Sequence, residues 1–264
     1  RRLSKQKKKK KEKMTTNKII ITGGATRIGA AIAKSLADFE TSIAIHYNKS
    51  KDSALKLKKE LESLGSEVYL LKADLGNLKQ TQSLLKLAYK KMKGLNCLIN
   101  NASLFENDNL QNFTDKSFTK HLNVNLRAPA ILMQNFKKLL KNSEGNIINI
   151  IDQRVEKLTP YFFSYTLSKS NLVTLTKTAA MKLAPNIKVN GISPGPTLKN
   201  SRQSERHFKK QWKSVLLKRK VELKSICDGV KFLMKNNNIT GEIINIDSGQ
   251  RLAWNTPDII NVKE

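Results

Sequence analysis

The stretch Lys18-Ile-Ile-Ile-Thr-Gly-Gly-Ala-Thr-Arg-Ile-Gly29 decides the fold of this chain. Its three consecutive isoleucines are typical of a strand buried on both faces of a parallel sheet. The glycine-rich turn 22–29 comes next, before a helical pattern that runs to about residue 38. Glycines let a backbone approach a pyrophosphate, and the N-terminus of a helix stabilises its charge. The turn therefore predicts a dinucleotide site, the alternative being a tight turn without a ligand.

Strand and helix patterns alternate along the rest of the chain. Further strands are predicted at 42–45, 68–71, 97–99, 146–151, 187–192 and 243–246. Helical patterns lie at about 50–64, 78–92, 115–140 and 225–234, and between Pro160 and Pro185. This alternation predicts one α/β domain over 14–264, a Rossmann-type doubly wound parallel sheet with helices on both faces. The polar segment 197–212 is interpreted as a substrate lid.

The chain is strongly basic, with 49 Lys and Arg against 21 Asp and Glu and a net charge of +28 over 264 residues. Residues 1–13 carry nine Lys and Arg and one Glu, a composition that predicts a disordered tail. Met14 stands directly before the first strand, so a natural start at Met14 is a hypothesis. Elsewhere lysines alternate with apolar residues on the helical patterns. They are interpreted as solvated faces, which favour an anionic cofactor or substrate over a specific nucleic-acid partner.

The sequence also bears on location and metal binding. No apolar run is long enough to cross a bilayer, and the lysine-rich N-terminus lacks the apolar core of a secretory signal. The two Cys and three His have no metal-ligand spacing. We therefore expect a cytoplasmic protein with a small-molecule substrate, without a metal site or a membrane partner.

The end of the second strand indicates which dinucleotide is bound. A site for NAD normally places a carboxylate there, about 20 residues after the glycine turn, to hold the ribose hydroxyls. Here the sequence is His46-Tyr-Asn-Lys-Ser50, with no acid before Asp52. Lys49, Ser50 and Arg27 supply cations and a hydroxyl suited to a 2′-phosphate, which favours NADP(H). The alternative for Lys49 is an ordinary surface lysine.

Polar residues also follow the third, fourth and fifth strands, at the sheet edge where ligands gather. Asp74 and Leu75 follow the third strand, where a carboxylate can accept from an adenine amino group. Asn100-Asn-Ala-Ser103 follows the fourth strand, and Asp152 follows the fifth. The alternative for the Asn pair and for Asp152 is that they cap turns.

Tyr165 and Lys169 lie four residues apart in the helical pattern after Pro160. Residues at this spacing share one face of a helix, so the phenol and the ammonium can share a proton network. Because a neighbouring ammonium favours the phenolate, the pair predicts a lowered pKa for Tyr165. The alternative is an exposed lysine beside a half-buried tyrosine.

Together these motifs resemble the short-chain dehydrogenase/reductase family over nearly all of residues 17–250. The resemblance implies a catalytic set of Asn125, Tyr165 and Lys169, with Lys169 also holding the nicotinamide ribose and Asn125 anchoring a water chain. It also implies a homo-oligomer, usually a tetramer. The motifs that carry it are Thr22-Gly23 with Gly29, Asp74, Asn100-Asn-Ala102, Asn125, Tyr165 with Lys169, and Ser193-Pro-Gly195. The cofactor-binding residues implied are Gly23, Arg27, Ile28, Gly29, Tyr47, Asn48, Lys49, Ser50, Asp74, Leu75, Asn101, Ala102, Ser103, Tyr165, Lys169, Pro194 and Gly195.

Two departures from the family pattern indicate a branch within it. Arg27 replaces the usual middle glycine and Asp152 replaces the usual serine, which resembles the pteridine reductase and dihydromonapterin reductase branch. In that branch an aromatic side chain at the position of Phe105 stacks on the pterin, against the nicotinamide. The alternative for Phe105 is a place in the core. The substrate-binding residues implied are Ser103, Phe105, Asp152 and Tyr165.

The chemistry of Asp152 favours the same substrate class. A ketone reductase stabilises a developing alkoxide, which an ionised carboxylate would repel. A carboxyl group is useful at a C=N bond in a ring with N–H donors, because it can bind the ring or relay a proton. We therefore predict hydride transfer to a dihydropterin-like substrate with Tyr165 as the proton donor. Two alternatives stay open: a carbonyl or 3-oxoacyl thioester reductase, and a non-catalytic dinucleotide-binding protein whose basic surface docks on nucleic acid or membrane.

Overall fold

A parallel sheet lies at the centre of the molecule. The computed structural model describes residues 17–200, 202–254 and 256, so the basic segment 1–13 and Met14 lie outside the described residues. The strands are β1 (Asn17–Ile21), β2 (Thr41–Tyr47), β3 (Glu67–Lys72), β4 (Cys97–Asn100), β5 (Gly145–Ile150), β6 (Ile187–Pro194) and β7 (Ile243–Ile246). They pair in the order β3-β2-β1-β4-β5-β6-β7 with every neighbour parallel. The predicted doubly wound parallel sheet is confirmed.

Helices cover both faces of the sheet. They are α1 (Arg27–Leu36), α2 (Lys51–Ser63), α3 (Leu78–Met92), α4 (Asp115–Leu122), α5 (Ala128–Leu140), α6 (Phe163–Leu183), α7 (Glu205–Lys213) and α8 (Leu223–Lys235). Successive side chains of a strand point to opposite faces of the sheet, which divides the core into two layers. In β1, Ile19 and Ile21 lie on one face and Ile20 lies on the other. The first layer is closed by α1, α2 and α8, and the second by α3, α5 and α6. Burial on both faces explains the apolar runs within the strands, such as residues 19–21 of β1.

Two helical segments differ from the sequence prediction. The predicted helix 115–140 is interrupted by the π-helical turn Asn123–Arg127, in which Asn125 is 0% exposed. The segment 197–212, interpreted as a substrate lid without an assigned helix, contains most of α7. Ser204 caps that helix, because its Oγ accepts a hydrogen bond from the backbone N–H of His207 at 3.1 Å. Phe208 is the residue that anchors α7 in the interior.

Residues 17–200, 202–254 and 256 contain neither a membrane-spanning helix nor a metal-binding cluster. Within those ranges, no helix combines the length and apolarity that a membrane crossing requires. In the same part of the chain, no group of three His, Cys, Asp or Glu side chains could hold a metal ion.

Candidate active site

The carboxyl ends of the strands border a cleft of about 1560 Å³. The strand order reverses between β1 and β4, which is where ligands bind in open α/β sheets. Sites for one drug-sized ligand measure ~300–1,000 Å³, so this cleft has room for a dinucleotide and a second small molecule. All the predicted site residues line the cleft except Asn125. The predicted cofactor-binding residues along it are Gly23, Arg27, Ile28, Gly29, Tyr47, Asn48, Lys49, Ser50, Asp74, Leu75, Asn101, Ala102, Ser103, Tyr165, Lys169, Pro194 and Gly195.

Two glycines of the glycine-rich turn are packed too closely for any side chain. A Cβ atom on Gly23, whose φ is +58°, would lie 2.9 Å from Ala102 Cα. A Cβ atom on Gly29 would collide with the Gly23 carbonyl. Because these glycines also line the cleft beside the N-terminus of α1, the turn can cradle a phosphate group.

Side chains at the ends of β2 and β4, the strands that flank β1, fix this turn. His46, in β2, accepts a hydrogen bond from Gly23 N at 3.0 Å through Nδ1 and donates from Nε2 to Ala73 O at 3.0 Å. Burial lowers the pKa of His46 to about 4, so the ring is neutral at physiological pH. Asn101 Nδ2 donates to Thr22 O at 2.9 Å and to Gly23 O at 3.0 Å. His46 was not among the predicted site residues, although its place in the segment 46–50 is a signal that points to it.

Cationic groups line the cleft where a 2′-phosphate is predicted. Lys49 and Ser50 follow β2 and lie on the cleft wall. Arg27 has φ +54°, a backbone conformation that glycine usually provides. Its guanidinium donates to Lys199 O at 2.9 Å and to Leu198 O at 3.1 Å. Arg27 therefore links the glycine-rich turn to the segment that follows β6.

Asp152 and Tyr165 form a hydrogen-bonded pair. The Oδ1 atom of Asp152, directly after β5, accepts from Arg154 N at 2.8 Å. Tyr165, in the first turn of α6, donates from its hydroxyl to Asp152 Oδ2 at 2.8 Å. Lys169 lies one turn further along and donates from Nζ to Ile150 O at 2.7 Å. Tyr165 is 4% exposed and Lys169 2%, so the alternative of an exposed lysine beside a half-buried tyrosine is wrong.

The prediction that Lys169 lowers the pKa of Tyr165 is wrong. Burial raises the pKa of Tyr165 well above its usual value, and the charge of Asp152 and the hydrogen bond to it raise that pKa further. Lys169 Nζ lies 5.9 Å from the Tyr165 ring centroid and donates elsewhere. Burial also raises the pKa of Asp152 and lowers the pKa of Lys169 to about 8. The phenol is therefore a neutral proton donor whose carboxyl partner can itself carry a proton.

Asn125 lies behind the cleft wall. Its Oδ1 accepts from Leu104 N at 2.8 Å, and its Nδ2 donates to Leu104 O and to Ser168 Oγ, both at 2.9 Å. These bonds join the π-helical turn to the segment after β4 and to α6. The side chain of Asn125 thus positions the cleft residues next to Leu104, and its role in a water chain stays a prediction.

Aromatic side chains line the cleft beside the Asp152 and Tyr165 pair. The ring of Phe105 stacks on Phe162, with centroids 4.4 Å apart and 7° between the planes. It meets the Tyr165 ring edge-on at 4.6 Å between centroids. Phe105 and Ser103 both line the cleft, so the alternative place for Phe105 in the core is wrong.

Asp108 shapes the site although no sequence pattern indicated it. α6 begins after Phe162, which has φ +58° and makes no side-chain cap. Asp108 supplies the missing cap, because its Oδ1 accepts from Ser164 N at 3.0 Å and its carbonyl accepts from Phe163 N at 3.2 Å. Asp108 and Ser164 are 56 residues apart in sequence, so a local signal could not reveal the contact. The cap fixes the turn of α6 that carries Tyr165.

Comparisons with known proteins identify one family. Residues 23–251 match a family model described as enoyl-(acyl carrier protein) reductase. The chain is 25% identical over 237 residues to dihydromonapterin reductase from Enterobacter sp. (strain 638). That alignment covers 89% of this chain and 96% of the relative. The chain is 27% identical over 236 residues to the 3-oxoacyl-[acyl-carrier-protein] reductase FabG from Staphylococcus epidermidis. That alignment covers 87% of this chain and 97% of the relative.

A solved structure gives the same assignment. The structure of FolM alternative dihydrofolate reductase 1 from Brucella suis, in complex with NADP, is similar to this chain, with 41% sequence identity and a TM-score of 0.89. The superposition covers 93% of this chain and 99% of the Brucella chain. The family model spans most of the chain, and the motifs that resemble the family meet in one cleft or directly behind it. The chain belongs to the short-chain dehydrogenase/reductase family of oxidoreductases.

Proposed function

We propose that this protein is an NADPH-dependent reductase that adds hydride to a C=N bond of a dihydropterin-like substrate, with Tyr165 as the proton donor. The observation that carries the proposal is the 2.8 Å hydrogen bond from the Tyr165 hydroxyl to Asp152 Oδ2. The proton donor thus has a carboxylate beside it, in a cleft that Phe105 also lines. A carboxylate there repels an alkoxide but accepts from ring N–H groups, which favours a nitrogen heterocycle.

The residues around the glycine-rich turn fit NADP(H). The turn has no room for a Cβ atom at Gly23 or Gly29 and adjoins a helix N-terminus, as a pyrophosphate requires. Arg27, Lys49 and Ser50 would hold the 2′-phosphate, Asp74 the adenine, and Lys169 the nicotinamide ribose. The relative from Brucella suis was solved with NADP, which supports this choice. When bound, NADPH supplies the hydride.

Tyr165 donates its proton to the ring nitrogen while the ring carbon gains the hydride, so that C=N becomes CH–NH. The raised pKa of Tyr165 keeps the phenol protonated before this step. The step leaves Tyr165 as a phenolate, which regains its proton from solvent; the raised pKa of Asp152 favours its carboxyl group as the relay for that proton. Lys169, whose pKa is about 8, is cationic at neutral pH and stabilises the charge of Asp152.

A 3-oxoacyl thioester reductase is the second candidate, which the 27% identity to FabG from Staphylococcus epidermidis favours. NADPH oxidation with dihydrobiopterin and with a 3-oxoacyl thioester separates the two. We expect turnover of dihydrobiopterin, and a loss of about ten-fold or more in kcat/KM in Phe105→Ala, because ring stacking is lost. Turnover of the thioester alone, unaffected by Phe105→Ala, contradicts the proposal. Salt-sensitive nucleic-acid binding that survives removal of residues 1–13, without reductase activity, would favour the non-catalytic alternative.

We further propose that the NADP-binding domain spans 14–264 and that the protein is a homotetramer in the cytoplasm. These three points rest on the sequence and on the family resemblance alone. Analytical ultracentrifugation of the purified chain tests the assembly, with a tetramer as the expected species.

A further inference from the structure

His121 is a buried histidine that the proposed reaction does not use. It lies in the last turn of α4 and is 0% exposed. Its Nδ1 lies 2.9 Å from Ser117 O, and its Nε2 accepts a hydrogen bond from Glu106 N at 3.2 Å. Because a carbonyl oxygen can only accept, Nδ1 carries the ring proton and Nε2 is left as an acceptor. Both nitrogens of the neutral ring are therefore paired, and the ring joins α4 to the segment that follows β4.

The segment 104–106 depends on side chains for its hydrogen bonds. It has no regular secondary structure, so helix and strand partners do not satisfy its backbone groups. Asn125 pairs with both the N–H and the carbonyl of Leu104, at 2.8 and 2.9 Å. His121 pairs with the N–H of Glu106. Because His121 and Asn125 are four residues apart on one helical segment, they lie on one face and hold the segment 104–106 at two points.

Phe105 stands between these two points. Asn125 holds the peptide group before Phe105, and His121 holds the peptide group after it. Two fixed peptide groups set the direction in which the side chain between them leaves the backbone. The Phe105 ring stacks on Phe162 at 4.4 Å between centroids and meets the ring of Tyr165 edge-on at 4.6 Å. The His121 bond therefore bears on a ring that contacts the proposed proton donor.

We infer that His121 is a positioning residue, which fixes the Phe105 ring in the wall of the cleft. Its effect on catalysis rests on the proposed reductase function, in which a substrate ring stacks on Phe105. His121 does not itself line the cleft, so it acts through Phe105 and not on the substrate. Because a misplacement of ~1 Å is enough to slow a reaction, a shift of the ring that orients the substrate lowers the rate of hydride transfer.

The test is a double-mutant cycle between His121 and Phe105, measured as NADPH oxidation with dihydrobiopterin. His121→Leu leaves Glu106 N without its acceptor and should lower kcat/KM for dihydrobiopterin about five-fold or more, with the KM for NADPH unchanged. In the Phe105→Ala background the same change should lower kcat/KM less than about two-fold, because the ring that His121 positions is absent. A purely structural role for His121 would give equal losses in both backgrounds.

Two control variants separate positioning from lost stability. His121→Gln carries an amide oxygen that can accept from Glu106 N, and it should keep kcat/KM within about two-fold of the unaltered protein. Val230→Ala opens a cavity at a buried position of α8 outside the cleft. It should lower stability in urea unfolding while leaving kcat/KM for dihydrobiopterin unchanged.

The outcomes distinguish failure of this inference from failure of the proposed function. Full activity in His121→Leu, or equal losses with and without the Phe105 ring, overturns the positioning role and leaves the reductase function intact. If the unaltered protein reduces a 3-oxoacyl thioester and no dihydropterin, the proposed function fails, and a crystal structure of His121→Leu decides the inference. A Phe105 ring displaced from its stack on Phe162 supports the positioning role, and an unmoved ring overturns it.

Discussion

At the scale of single residues, Asp152 controls the protonation of two neighbours. Its charge and its hydrogen bond help to raise the pKa of Tyr165, so the phenol enters the reaction protonated. The same charge partly offsets the burial that lowers the pKa of Lys169 to about 8. A serine at position 152 would supply neither effect, because its hydroxyl carries no charge.

The pH dependence of activity should report Lys169. Its ammonium is lost above a pKa of about 8, so kcat/KM for NADPH, which reports the free enzyme, should fall on the basic side near that pH. Asp152→Ser removes the charge that raises this pKa, and the basic limb should then move to lower pH. The profile is measured with whichever substrate the variant turns over. A limb that stays in place would contradict its assignment to Lys169.

His46 should couple pH to folding stability. Its pKa is lowered from 6.5 to about 4 in the folded protein, so between these values the unfolded chain binds a proton that the folded chain excludes. Stability should therefore fall as the pH drops through this window, by up to about 3 kcal/mol for a shift of this size. His46→Leu should abolish that slope and, by leaving the Gly23 N–H unpaired, cost about 1–3 kcal/mol at neutral pH. Urea unfolding measures both effects, and an unchanged slope in the variant rules out His46 as its source.

At the scale of elements, the strands could be predicted and some helices around the site could not. A strand buried on both faces leaves a continuous apolar run such as 19–21. The π-helical turn Asn123–Arg127 leaves no pattern, because Asn125 bonds to residues of two other segments. α7 has one buried apolar residue, Phe208, which is too few to produce a helical period.

The same division applies to the candidate site. Its lining could be predicted from residue type and from position at the strand ends, because parallel strands bring those ends to one edge. The pKa shift of Tyr165 could not be predicted in this way. Burial and the hydrogen bond to Asp152 raise that pKa, and the spacing of Tyr165 and Lys169 shows neither. The turn fixed by His46 and the cap supplied by Asp108 likewise depend on contacts between distant segments.

Asp108 should affect both stability and catalysis through α6. Asp108→Ala removes the side-chain cap on Ser164 N and should cost about 1–2 kcal/mol in urea unfolding. It should also lower kcat, because the first turn of α6 carries Tyr165. The control Asp115→Ala, an exposed position in the first turn of α4, should cost only a few tenths of a kcal/mol and leave kcat unchanged. Lost stability in Asp108→Ala with a normal kcat would limit the cap to a structural role.

At the scale of the whole molecule, the sheet gathers cations and the Asp152–Tyr165 pair in a single cleft. The chain carries a net charge of +28, and Arg27, Lys49, Arg154 and Arg202 line the cleft. Such a field attracts anionic ligands in general, including NADPH and acidic substrates. It does not decide which double bond is reduced, so the choice of reaction rests on Asp152 beside Tyr165.

The most direct test of that role is the substrate preference of Asp152→Ser against the unaltered protein. The serine supplies the hydroxyl donor that stabilises an alkoxide and removes the carboxyl group that serves a ring nitrogen. We predict that the unaltered protein has the higher kcat/KM for dihydrobiopterin, and that Asp152→Ser loses about 100-fold on it and comes to prefer a 3-oxoacyl thioester. An unaltered protein that prefers the thioester, or a serine variant that keeps full activity toward dihydrobiopterin, would contradict the assignment.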